Sequence, residues 1–421
     1  MAGQQPWTQA GTEADSFAVA LDRAVFLLEQ NQFDEAEREY ARAVARKPSH
    51  PAARFGLAKL RYMRGDPYFA RDLVAAAARD RSDGLLQLQL ADVLRQTGDL
   101  AGSEVLLRDL IARGAPAPEL RSSLATVLHA AGRLEEAETE ARIAINLWPT
   151  NASIVRNFVA VLLSLGRTDH ALPLIREQRA RTPFDCAWIA EEAIAARLIG
   201  DPAYSVLYDY DRFVRVYDLE APQGWGSMME LNAALAASLH ARHTLARHPF
   251  DQSMRFGTQT IGNLARDPDP AIQAILKAFL EPIADYRANL GSAADHPLSA
   301  RNRGESRYVG CWSVQLKQHG FHVNHIHPEG WLSSAYYVAT PSETHDAEEQ
   351  SGWIKFGEPA LPVPGAGPAF TVQPKPGRLV LFPSYMWHGT TAIHGTEPRL
   401  TLAFDVGTTP RGGALIGGGA E

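Results

Sequence analysis

Phe33-Asp-Glu-Ala-Glu-Arg-Glu-Tyr40 and Leu134-Glu-Glu-Ala-Glu-Thr-Glu-Ala141 carry one pattern twice: an apolar residue, a run of acids, and an alanine in the fourth place. The pattern belongs to a longer series. Gly65, Gly98, Gly132, Gly166 and Gly200 fall 33, 34, 34 and 34 residues apart, in turns such as Arg64-Gly-Asp, Thr97-Gly-Asp and Ala131-Gly-Arg, and Asn31 takes the same phase one period earlier. Five residues after each turn stands a small side chain: Ala36, Ala70, Ser103, Ala137, Ala171 or Ser205. A small residue there lets the second helix of a hairpin pack close to the first, and Pro48, Pro149 and Pro183 end one pair where the next begins. The period predicts a stack of helix pairs, because a single pair cannot bury its apolar face alone.

This series resembles the tetratricopeptide repeat, with about six units over roughly residues 15–218. The resemblance implies a superhelix whose concave face docks a protein or peptide, or a second copy of the chain. Residues 219–304 are expected to be a helical segment leading into and supporting a C-terminal sheet domain, with one helix from Met229 to His240 and another opened by Asp269-Pro270. The second has Ile272, Leu276, Phe279 and Ile283 as its buried stripe and a kink at Pro282. From 305 the composition turns to short β-branched and aromatic runs separated by Gly and Pro: Tyr308 to Leu316, Phe321 to His327, Leu332 to Val338, Gly352 to Gly357, Arg378 to Phe382 and Leu400 to Val406. Such runs without helices between them predict a β-sandwich or jelly roll over 305–410. Residues 359–376 read as a proline-rich loop, and 411–421 as a glycine-rich flexible tail. The predicted class is a multidomain α + β chain: an N-terminal helical repeat array, then a double-stranded β-helix (jelly-roll) domain with supporting helices.

Composition bounds the function. With 421 residues, 45% hydrophobic and 21% charged, the chain can build two cored domains. A formal net charge of −7 without a cluster of Lys and Arg argues against nucleic acid as the main partner. The two cysteines, Cys186 and Cys311, form no CxxC pair, which predicts unpaired thiols in a reducing compartment. The N-terminus lacks a basic region followed by an apolar core, and no apolar run is long enough to span a bilayer. The expectation is a cytoplasmic protein with no membrane partner.

The chemistry concentrates near the C-terminus. Seven of the fourteen histidines lie between 319 and 394: His319, His322, His325, His327, His345, His388 and His394. His325 and His327, at i and i+2 on an expected strand, point to one face, where His388 from a later strand can join them around one metal. Imidazoles without thiolates suit Fe(II), Zn, Cu or Ni rather than Mg or Ca. Arg399, eleven residues past His388, opens another alternating run and can hold an anion beside that metal. The remaining four histidines read as surface or hydrogen-bonded residues.

Cys311-Trp-Ser-Val-Gln-Leu, His325-Ile-His-Pro-Glu-Gly-Trp-Leu-Ser-Ser-Ala-Tyr-Tyr337, Gly352-Trp-Ile-Lys-Phe-Gly-Glu358, Pro376-Gly-Arg-Leu-Val-Leu-Phe-Pro-Ser384 and Trp387-His-Gly389 together resemble the 2-oxoglutarate- and Fe(II)-dependent oxygenase superfamily, and more closely its bacterial members in which tetratricopeptide repeats precede the oxygenase domain. The superfamily places two ligands in a His-x-Asp/Glu pair, a distal His well downstream and an Arg a short stretch beyond. Here the intervals are 63 residues from His325 to His388 and 11 from His388 to Arg399. The resemblance implies Fe(II) on His325, His327 and His388, with the distal carboxylate of 2-oxoglutarate on Arg399 and Thr401. Gln315 and Tyr336 are further candidate co-substrate contacts. It also implies O2 as oxidant, coupled decarboxylation of the co-substrate, and hydroxylation of a protein or peptide recruited by the repeats.

One departure stands out: His327 occupies the place of the usual carboxylate, so the site would hold three imidazoles. Glu329 is the alternative acid, with strand parity shared with His327 but Pro328 between them; Asp346 and Glu348 are weaker candidates. Two other readings follow, a three-His iron oxygenase that does not use 2-oxoglutarate, and a non-catalytic repeat scaffold with a degenerate jelly roll.

Overall fold

The computed structural model describes residues 16–48, 50–114 and 117–409. These form two compact units. One contains the described residues up to Val161 together with Leu245–Gln252; the other contains Leu162–Thr244 and the described residues from Ser253 onward.

The first unit is built of antiparallel helix pairs, among them Phe17–Glu29 with Phe33–Arg46, Gly84–Gln96 with Leu100–Ala112, and Pro118–Ala130 with Leu134–Leu147. The periodic residue has one backbone job. Gly98 has φ 92° and Gly132 φ 76°, with Asn31 at 57°. After each, the chain closes a left-handed cap in which the next N–H reaches back five residues: Gln32 N to Leu27 O at 2.9 Å, Asp99 N to Leu94 O at 2.8 Å, Arg133 N to Leu128 O at 2.9 Å. Of the small residues that follow, Ala36, Ser103 and Ala137 are fully buried. Leu245–Gln252 belongs to this unit because Phe250 is buried among Leu73, Leu86 and Val93, with its ring 5.3 Å from Phe55 and 5.4 Å from Tyr62.

The second unit keeps the rhythm at Gly166 and Gly200, with Ala171 fully buried. It then breaks: the helix after Gly200 is only Ala203–Leu207, and Ser205 is exposed. The expected array boundary at 218 therefore differs from the structural division. Cys186, Ile189 and Ala193, on helix Cys186–Ile199, share one apolar core with the sheet residues Leu332, Tyr336 and Phe404.

The described residues contain nine strands: β1 (Arg215–Asp218), β2 (Met254–Gln259), β3 (Glu305–His322), β4 (Leu332–Ala339), β5 (Ile354–Phe356), β6 (Phe370–Val372), β7 (Arg378–Pro383), β8 (His388–Thr390) and β9 (Arg399–Thr409). They make a six-stranded sheet in the order β1-β7-β4-β9-β3-β2 and a three-stranded sheet in the order β6-β5-β8, antiparallel throughout, as a jelly roll requires. Helices Met228–His240, Pro270–Ala278 and Leu280–Leu290 contribute to the core that covers one face of the large sheet, through Leu235, Ile272, Phe279 and Ile283. The expected kink falls at Phe279, and Pro282 sits in the first turn of the second helix, where its missing N–H costs no hydrogen bond.

Several expectations need correction. β1 lies inside the region assigned to the repeats, and β2 inside the segment assigned to helices. β2 is polar and broken by a bulge at Phe256, whose φ of 53° hides the period-two pattern. β6 falls within the expected proline-rich loop. The run Phe321 to His327 is not one strand: β3 ends at His322, and His325 makes a single bridge to His388. The expected tail, 411–421, lies outside the described residues.

Candidate metal centre

The bridge is what sets the site. His325 N donates to His388 O at 2.8 Å and His388 N to His325 O at 3.0 Å, while His327 N donates to Ser384 O at 2.9 Å. Two histidines two apart on an extended segment thus face a third across one backbone pair. Gly389 makes the close approach possible, since a Cβ there would lie 2.3 Å from Asn324 Oδ1 and 2.9 Å from His322 O.

Each of the three rings spends the same nitrogen on the protein. Nδ1 of His325 donates to Val323 O at 2.9 Å, and Nδ1 of His388 to Met386 O at 2.8 Å. A carbonyl can only accept, so in both rings Nδ1 carries the proton and Nε2 the lone pair. Nδ1 of His327 meets Asp405 Oδ1 at 2.7 Å. The potential ligand atoms of the three rings lie within 4.8 Å of one another, and Nε2 of His325 is 3.1 Å from Nε2 of His327. Two lone pairs at that distance repel unless a cation or a shared proton sits between them, and about 3 Å is the spacing of neighbouring nitrogens bonded at about 2.1 Å and near right angles to one ion. The donor set fits a divalent first-row metal with open positions.

Electrostatics favour the neutral, ligating form. Burial pushes His325 down to about 3, with the His327 ring adding to the effect. Burial also holds His388, which is 5% exposed, well below the ordinary imidazole range, with His325 and His327 contributing. Phe382 and Trp312 wall the site, with ring centroids 4.6 Å from His388 and 5.7 Å from His327 respectively.

Arg399 opens β9 and is 3% exposed. Its guanidinium lies over the Tyr337 ring, 4.9 Å from the centroid, and no carboxylate pairs with it among the described residues. Neither Nε of Arg399 nor the Tyr337 hydroxyl has a hydrogen-bond partner within bonding geometry. Burial lowers the arginine's pKa, the direction expected of a desolvated cation without an anion. A buried, unpaired guanidinium fits a carboxylate ligand.

Register decides which other predicted residues share this face. Thr401 is paired across from Tyr337 and Val314, on the Arg399 side of β9, and its hydroxyl donates to Val314 O at 3.3 Å. Gln315 is paired with Leu400, so it points to the opposite face. Tyr336, paired with Leu402, also points away; it is fully buried, and its hydroxyl donates to Asn232 Oδ1 at 2.6 Å. Its neighbour Tyr337 is the tyrosine on the site face, so the two residues in Tyr336-Tyr337 exchange the expected roles. Glu329 is exposed, as are Asp346 and Glu348, and Asp346 caps the turn at Glu348 N and Glu349 N. His319, His345 and His394 are exposed as expected.

His322 is hydrogen-bonded rather than exposed, and it lies beside the site. It stacks on His325 at 5.8 Å, and Ser253 Oγ lies 2.9 Å from its Nδ1 and 3.3 Å from His325 Nε2. Ser253, Tyr337 and Asp405 were missed in the sequence. Strand parity with Thr401 places Asp405 on this face, whereas Tyr337 is placed only by the pairing of β4 with β9, and Ser253 carries no local signal.

Comparison with known proteins accords with both regions. Residues 310–405 match the family described as "Putative 2OG-Fe(II) oxygenase", and residues 27–83 and 88–152 match tetratricopeptide-repeat families. Among solved structures, a tetratricopeptide-repeat protein of Thermus thermophilus is 22% identical over 43% of this chain and 98% of its own, with a TM-score of 0.34. A prolyl-4-hydroxylase of Pseudomonas putida is 16% identical over 49% of this chain and 98% of its own, with a TM-score of 0.32. A tetratricopeptide-repeat protein of Parabacteroides merdae is 11% identical over 45% and 75%, with a TM-score of 0.36. No curated protein matches the chain. No helix among the described residues is long and apolar enough to cross a membrane.

Proposed function

We propose that this chain, a tetratricopeptide-repeat protein with a C-terminal 2OG-Fe(II) oxygenase domain, is a 2-oxoglutarate-dependent hydroxylase of a protein or peptide. In this reading His325, His327 and His388 hold Fe(II), and Arg399 with Thr401 holds the distal carboxylate of 2-oxoglutarate. When bound, iron and co-substrate would supply the oxidising chemistry, in which O2, 2-oxoglutarate and a substrate C–H give succinate, CO2 and the C–OH product.

The observation that carries the reading is the pair of Nε2 atoms of His325 and His327, 3.1 Å apart and grouped with His388. The protein's part is to orient and exclude water. Val323 O, Met386 O and Asp405 fix the three rings, while Phe382 and Trp312 keep one side of the site apolar. Arg399 lies on the same face of β9 as Asp405 and offers a charge-assisted contact to a carboxylate. The repeat region motivates the substrate class, since such arrays expose extended concave surfaces suited to partner proteins.

The test is an anaerobic titration of the metal-free protein with Fe(II) and 2-oxoglutarate, watching for the visible charge-transfer band of a chelated keto acid. A saturable band that needs both components supports the reading. Iron binding without the band would favour a three-His oxygenase that does not use 2-oxoglutarate, the alternative suggested by His327 standing where a carboxylate is usual. No metal binding would favour a non-catalytic scaffold.

A further inference from the structure

Among the described residues Asp405 is the one acid that reaches the metal centre, and it does so from behind. β9 carries it on the same face as Arg399 and Thr401, paired across from Ser333 of β4. It is 8% exposed. Its Oδ1 accepts from Ser333 Oγ at 2.7 Å and lies 2.7 Å from His327 Nδ1; Ser333 Oγ is in turn 2.9 Å from Ser384 Oγ. Ser384 also receives the His327 backbone N–H, so ring and backbone of His327 are held by one connected network. Among the described residues Asp405 forms no ion pair with Lys or Arg; its imidazole contact is the hydrogen bond with His327.

The three rings are therefore not equivalent. His325 and His388 donate to neutral carbonyls, whereas His327 donates to a buried carboxylate. A hydrogen bond to an anion is stronger than one to a carbonyl and drives electron density through the ring toward Nε2, raising its basicity as a ligand. His327 is also the residue that stands where the oxygenase superfamily has its acid. We propose that Asp405 is a positioning residue that supplies, through His327, the negative charge this ligand set otherwise lacks. The metal then has an aspartate-histidine pair in place of a directly bound carboxylate. The proposal rests on the three-His reading above.

The experiment uses the full chain and the metal alone. Affinities for Co(II), and for Fe(II) under anaerobic conditions, are measured by competition with a chromophoric chelator for the wild type, Asp405→Asn and Asp405→Glu. Asn keeps the size and an acceptor oxygen but removes the charge, so a loss of about 10–100-fold is expected for Asp405→Asn, with at least partial recovery in Asp405→Glu. Asp405→Asn within twofold of wild type overturns the proposal and leaves the three-His reading standing. A wild type that binds neither metal overturns both.

If Asp405→Asn does not fold, the wild type loaded with Zn(II) decides. With 15N-labelled histidine, the Nδ1 resonance of His327 is expected to stand apart from those of His325 and His388, displaced toward the imidazolate value. Three equivalent resonances overturn the proposal. In a folded Asp405→Asn variant, a merely structural hydrogen bond would leave the metal affinity unchanged.

Discussion

The guanidinium of Arg399 lies over the ring of Tyr337 at 4.9 Å, buried and without a carboxylate beside it. A cation in that position weakens the fold until an anion joins it. Replacing it by an apolar side chain of similar length should therefore have opposite effects on stability and on turnover. Arg399→Met is expected to raise the stability of the ligand-free protein by about 1–4 kcal/mol while abolishing measurable saturation by 2-oxoglutarate. Denaturant unfolding and succinate release measure the two effects. A variant that is both less stable and fully active would contradict the assignment of Arg399 to the co-substrate.

The adjacent tyrosines separate site from scaffold. Tyr337→Phe should raise the KM for 2-oxoglutarate with little change in stability, since its hydroxyl makes no hydrogen bond of good geometry in the fold. Tyr336→Phe should leave KM alone and cost about 1 kcal/mol, because it removes the buried hydrogen bond to Asn232. Steady-state kinetics beside thermal melts distinguish the two, and the reverse pattern would mean the sheet is out of register.

Gly389 is expected to tolerate no side chain. Its Cβ would fall 2.3 Å from Asn324 Oδ1, so Gly389→Ala should push the 322–325 segment away from β8. A stability loss of about 1–3 kcal/mol is expected, together with weakened metal binding, because His325 and His388 share that backbone bridge. Unchanged metal affinity in a folded Gly389→Ala protein would show that the bridge does not set the ligand spacing.

Acid sensitivity should follow from His243. Its ring contacts Thr258 Oγ1 and Ser313 Oγ, and burial holds its pKa down to about 4, with smaller contributions from His240 and Lys317. The unfolded chain protonates this ring near 6.5, so between about 6.5 and 4 the unfolded state binds more protons. The stability from this residue is complete above that window and lost as pH falls through it, with a limiting slope of about 1.4 kcal/mol per pH unit. Denaturant unfolding at several pH values should show a slope shallower by that amount in His243→Gln; identical slopes would contradict the assignment.

In the repeats, Gly132 has φ 76° and open space where a Cβ would go. Gly132→Ala should therefore cost only backbone strain, about 1–2 kcal/mol, visible as a lower melting temperature. Gly132→Asn should recover part of it, as Asn31 already occupies the same phase.

The parts legible in the sequence were those written in local spacing. The glycine period announced the left-handed caps because each cap needs one residue without a Cβ penalty, and the rhythm faded where the repeat itself does, at the short helix Ala203–Leu207. His325, His327, His388 and Arg399 were legible because two-residue and strand-length spacings constrain which faces they share. What depended on register between distant strands was not legible. Tyr336 and Tyr337 differ by a single step along β4, and only pairing with Thr401 says which faces Arg399. Asp405 reaches His327 from another strand with no motif to mark it. β2 went unseen because a polar strand interrupted at Phe256 does not alternate.

The two hydrogen bonds exchanged by His325 and His388 close everything between them into a loop pinned at its base. Length changes inside it, within 360–366 for example, are expected to leave the two histidines where they are, because their separation is set by the bridge and not by the chain connecting them. The segment can thus change in length while the corner formed by His325 and His388 keeps its geometry.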